Sequence, residues 1–121
     1  SRPLQLATAS YLIASAENPT SGAALLEKLV SEDPTDGIAL LALANHLIKN
    51  AQPNSAELLY ERAAIDPAAA YEAHIGLARL HVSQSRYADA LKAIDSALAL
   101  NPTEALRTYR EALVQTISAS E

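Results

Sequence analysis

The sequence predicts an all-α chain: three helix–turn–helix repeats in a row, followed by a C-terminal capping helix. Three observations predict this. Half of the 121 residues are hydrophobic, with Ala and Leu the commonest, whereas aromatic strand formers are scarce, with five Tyr and no Phe or Trp. The chain resembles itself at a shift of 34 residues. Three blocks close alike, on an acid or amide followed by proline: Asp33-Pro34, Asp66-Pro67 and Asn101-Pro102.

At the 34-residue shift, Pro19 falls on Pro53, Ser21 on Ser55, Leu25 on Leu59, Leu26 on Tyr60, Glu27 on Glu61 and Leu29 on Ala63. A second shift takes Ala56 to Ala90, Tyr60 to Ile94 and Ala63 to Ala97. The repeats span about 3–36, 37–69 and 70–103, and the final helix about 104–118.

Each element has its own signal. Asn18 can cap the second helix of the first repeat, and Pro19 and Pro53 sit early in their helices, where a missing N–H leaves no bond unmade. In the third repeat, Leu77, Ala78 and His81 share one helical face. Ala90, Leu91, Ile94, Ala97 and Leu98 recur at i, i+1, i+4, i+7 and i+8, an amphipathic helix. Small residues mark close helix approach, and bulky ones fill the adjoining holes. The closing prolines end each unit, because the residue before a proline avoids helical geometry. YERAAIDP (60–67) has one residue fewer before its proline than ALALNP (97–102). One residue lost before Pro67 and one gained within Ala68–Ala70 restores the phase. After Pro102, the spacing of Leu106, Tyr109, Leu113 and Ile117 predicts the seventh helix, which would cover the last apolar face.

These residues resemble the tetratricopeptide repeat (TPR) family, whose 34-residue unit is a helix–turn–helix. The third copy carries most of the resemblance: Leu77-Ala78 at the family's Leu-Gly positions, Tyr87 at an aromatic position, Ala90, Ile94 and Ala97 in the second helix, and Pro102 as the closing proline. His74 and His81 stand where the family usually has aromatic residues. The resemblance implies a right-handed α-solenoid whose first helices line a concave groove. It places Tyr11, Leu41, Asn45, Lys49, Ile75, Arg79 and Tyr109 on that groove, with Leu4, Ala7, Ala14, Ser15, Ile38, Ile48, Glu72, Val82, Ser83, Leu106 and Leu113 also at groove positions. Some members of the family clamp the C-terminal carboxylate of heat-shock chaperones. Ala7 and Tyr11 replace the Lys and Asn that this clamp needs, so binding of that type is not expected.

Several functions find no support in the residues. The formal net charge is −5 and the nine Lys and Arg do not cluster, so there is no footprint for nucleic acid. No apolar run approaches 18 residues, so no membrane span is expected. SRPLQLATAS lacks a signal-peptide layout, and without a targeting signal the cytoplasm is the default compartment. Zero cysteines exclude thiolate metal sites and disulfides. His74 and His81 lie seven positions apart, roughly 10 Å along one helix, too far to share an ion unaided; packing is the better account of both. His46 falls near a helix end. No GxSxG, HExxH or phosphate-binding glycine loop occurs, so no enzyme activity, cofactor or metal is expected. The leading expectation is a non-enzymatic adaptor that binds a protein or peptide partner in its groove. The alternative is a structural segment of a larger protein or of an envelope or secretion assembly, acting through self-association or through its ends and convex face.

Overall fold

The computed structural model describes residues 2–14 and 19–120, the side chains of 10–14 and 19–21 excepted. Among the described residues there are seven α-helices and no strands: α1 Arg2–Ala14, α2 Pro19–Glu32, α3 Gly37–Lys49, α4 Pro53–Ala63, α5 Ala70–Ser83, α6 Tyr87–Leu100 and α7 Glu104–Ser120. The fold is all-α, and among the described residues no helix is long and apolar enough to cross a membrane. Asn18 lies outside the described residues.

The helices pack in chain order. The most extensive contacts join α1 with α2, α3 with α4 and α5 with α6; smaller ones join α2 with α3, α4 with α5 and α6 with α7. Among next-but-one neighbours, the backbones of α1 and α3 and of α3 and α5 come close, whereas those of α5 and α7 stay farther apart. This is a helical repeat-like architecture, and its burial keeps the 34-residue period. Ala9, Leu43 and Leu77 are buried, as are Leu26, Tyr60 and Ile94, and Leu29, Ala63 and Ala97. Small residues at Gly22, Ala56 and Ala90 are also buried, letting the paired helices approach.

Local chemistry explains the helix ends. The Asp36 carboxylate caps α3, accepting from the N–H groups of Ile38 at 3.0 Å and Ala39 at 3.2 Å. Pro53 opens α4. Thr103 Oγ1 accepts from the Leu106 N–H at 3.1 Å and so caps α7. Both α3 and α5 end on a residue in the left-handed region, Ala51 at φ 56° and Ser85 at φ 58°. The next N–H reaches back five residues each time, Gln52 to the Leu47 carbonyl at 2.9 Å and Arg86 to the His81 carbonyl at 2.8 Å. These two caps of the Schellman type stand 34 residues apart.

The acid before each of the first two closing prolines folds its own turn. Asp33 accepts from the Thr35 N–H at 3.2 Å, and Asp66 from the Ala68 N–H at 3.0 Å. Asp66 also accepts from the Gly37 N–H at 2.8 Å, tying the turn after α4 to the start of α3. A Cβ on Gly37 would lie 2.5 Å from Asp66 Cβ and 2.9 Å from Ala69 Cβ, so only glycine permits this approach. The short ending of the second repeat is a shortened helix followed by a longer turn: α4 has 11 residues and stops at Ala63, while α6 has 14 and runs to Leu100, and residues 64–69 link α4 to α5. Ala69 and Ala70 pack inward where the chain resumes.

Candidate functional site

The contact between α3 and α5 brings one face of each helix together. Asn45, Ile48 and Lys49 of α3 meet Gly76, Arg79, Leu80 and Ser83 of α5 around a cleft of about 430 Å³, with Tyr60 of α4 completing the lining. Tyr60 and Leu80 are buried and form the floor, while Asn45, Lys49 and Arg79 are exposed at the rim.

Tyr60 connects floor and rim. Its hydroxyl donates a hydrogen bond to Asn45 Oδ1, so the Asn45 side chain has its amide N–H groups left as donors. The ring passes Gly76 so closely that a Cβ there would lie 2.4 Å from Tyr60 Cε1 and 2.6 Å from Cζ. Burial pushes the phenol above its ordinary pKa, and the Arg79 charge works against that rise.

The electrostatics are one-sided. No Asp or Glu lines the cleft, and among the described residues neither Lys49 nor Arg79 forms an ion pair. Arg2, Arg86 and Arg110, by contrast, each hold a carboxylate. The cleft therefore offers an amide, an ammonium and a guanidinium as donors. The Ser83 hydroxyl is already donated to the Leu80 carbonyl at 2.6 Å, and its oxygen remains an acceptor.

A second cleft, of about 270 Å³, lies between α5 and α7. It is lined by Ile75, Ala78, Arg79, Ile94, Ala105, Leu106 and Tyr109. Ala78 and Ile94 are buried and form its floor. Arg79 belongs to both clefts and stands between them.

Of the sequence-predicted groove residues, the structure brings Asn45, Lys49 and Arg79 together at the first cleft, and Ile75, Arg79 and Tyr109 at the second. The Tyr11 side chain lies outside the described ones. Leu41 is half-buried, packs against the core and lines neither cleft. Leu113 departs from its groove position: it is the buried residue of α7, packed into the largest core cluster. Val82 is half-buried against that cluster. Tyr60 reads in the sequence only as a core residue, and no local signal announces that its hydroxyl reaches the rim.

The histidines divide. His81 is buried at 8 % exposure, and its Nδ1 has no hydrogen-bond partner, the Glu57 carboxylate lying 3.7 Å away. Arg86 Nη1 holds that carboxylate at 2.9 Å. His74 is half-buried, and desolvation lowers its pKa. Among the described residues no group of three or more His, Asp and Glu is placed to hold a metal ion.

The sequence matches no protein-family model and no curated protein. The class that fold and site define is an all-α, helical repeat-like chain with a donor-rich cleft between α3 and α5.

Proposed function

We propose that this chain is a TPR-like, right-handed α-solenoid module that binds a partner peptide or helix along the face formed by α1, α3 and α5, without chemistry of its own. The 34-residue recurrence of burial and of the two left-handed helix caps supports the repeat reading. One observation carries the functional reading: Asn45, Lys49 and Arg79 meet at one cleft, and among the described residues neither cation has a carboxylate. Donors at an open cleft suit backbone carbonyls and acidic side chains, since hydrogen bonds to a charged partner are the stronger ones. Apolar residues beside them suit a helix or extended segment laid in the groove.

The test is capture of partners from the native lysate on wild type beside the Asn45→Ala/Arg79→Ala double variant, with helicity checked by circular dichroism. A partner held by wild type and lost by the variant supports the groove. A partner held equally by both moves the binding surface elsewhere.

A second reading rests on the apolar residues of the other face. Leu58, Ile65 and Leu100 are 63 %, 81 % and 55 % exposed, all on or just after the second helices of their pairs. Self-association through that side fits the structural alternative. A molecular mass that rises with concentration in sedimentation equilibrium, and falls back in Leu58→Ser/Ile65→Ser, supports it.

A further inference from the structure

We infer that the groove partner carries a bulky apolar side chain that enters the cleft between α5 and α7, beside an acidic residue held by Arg79. This rests on the groove reading above. The backbones of α1, α3 and α5 approach one another in turn, whereas those of α5 and α7 stay farther apart and leave a cleft between them. The backbone of α7 lies close to α6 and farther from α5, and Leu113 is its buried residue. The opening leaves Ala78 and Ile94 as an apolar floor, with Ile75, Ala105, Leu106 and Tyr109 as walls. At about 270 Å³ it falls below the roughly 300–1,000 Å³ of small-molecule clefts and suits a single large side chain.

Charge complementarity specifies what flanks that side chain. Arg79 stands at the edge of this cleft and of the neighbouring one, Lys49 lies on the far side of the latter, and neither lining contains a carboxylate. The chain as a whole carries −5, so this is a local basic step on an acidic protein. An acidic segment is steered to it. Interface anchors are typically aromatic or large aliphatic groups in an apolar pocket with polar contacts at its edge; here Arg79 and the Tyr109 hydroxyl supply the polar edge.

The probe is a random dodecapeptide phage library selected on the full chain, with individual winners measured by fluorescence anisotropy. The expected winners share Trp, Phe or Leu flanked by Asp or Glu. Replacing that apolar residue by Ala in the peptide should weaken binding at least tenfold. So should Ala105→Trp, which fills the cleft from an exposed position in the first turn of α7. The peptide replacement needs no protein variant, so the test survives if Ala105→Trp folds poorly. Winners that lack this pattern, or that bind Ala105→Trp at wild-type affinity while failing on Asn45→Ala/Arg79→Ala, overturn the inference and leave the groove reading standing. Winners indifferent to both variants, or a selection without winners, overturn both.

Discussion

The Tyr60 hydroxyl donates a hydrogen bond to Asn45 Oδ1, so a ring buried in the core on α4 sets the orientation of an amide exposed at the cleft rim on α3. Core packing and groove chemistry meet in that bond. Tyr60→Phe keeps the ring and removes the hydroxyl, and a net cost of about 0.5–1.5 kcal/mol is expected in urea denaturation. In a double-mutant cycle with Asn45→Ala, the two changes should be clearly non-additive. Strictly additive costs would mean that the bond contributes nothing to stability.

Gly76→Ala should destabilise the fold although alanine is the better helix former. The helix gains up to about 1 kcal/mol in propensity. The new Cβ, however, meets the Tyr60 ring at 2.4–2.9 Å, and shifting the ring would disturb its core packing and its bond to Asn45. Overpacking of this kind costs about 1–3 kcal/mol. A lower thermal midpoint, relieved when Tyr60→Leu is added, is the expected pattern; a midpoint raised by the single change would contradict it.

The left-handed caps at Ala51 and Ser85 invite glycine. An L-residue in that region costs about 1–2 kcal/mol, part of which glycine returns through its larger unfolded-state entropy. Ala51→Gly and Ser85→Gly should each stabilise by roughly 0.5–1 kcal/mol and add together, as the sites cap different helices. Ala51→Val should do the opposite. Thermal melts of the two glycine variants, their double variant and Ala51→Val, each beside wild type, decide the matter.

Asp36 gives the fold an acid-sensitive joint. Burial tends to raise its pKa, but the Arg2 guanidinium and the N–H groups of Ala39 and Ile38 together outweigh it and hold the carboxyl below its ordinary value. A carboxyl lowered in the folded state adds stability above the unfolded value, near 3.9, and that stability is lost as pH falls through the folded value. Asp36→Asn keeps a capping side chain and deletes the charge. Wild type should therefore be the more stable protein at pH 7, with the gap closing below about pH 4. A gap unchanged down to pH 2 would assign the effect to something other than this carboxylate.

Much of the architecture was legible in the residues. The 34-residue shift aligned Leu26, Tyr60 and Ile94, and all three are buried. Proline marked the opening of α4, and the spacing of Leu106 and Leu113 foretold α7, which runs two residues further than expected, to Ser120. The site was legible in part, because groove positions inherit the repeat: Asn45, Lys49 and Arg79 do meet. Leu113 was misplaced because counting positions assumed that α7 continues the row, whereas Leu113 packs into a core cluster that includes residues of α5 and α6.

By itself the sequence determined the periodicities. Apolar spacing, proline, and caps such as Asp36 act within a few residues, so they set where helices begin and which stripe is buried. Only the tertiary structure decided what crosses between helices. The Tyr60–Asn45 bond spans 15 positions and exists because Gly76, on a third helix, lacks a Cβ. The Gly37–Asp66 bond spans 29, and the cleft between α5 and α7 reflects how α7 settles on α6. Such features depend on helix separation and crossing geometry, which follow from side-chain volumes summed over whole interfaces.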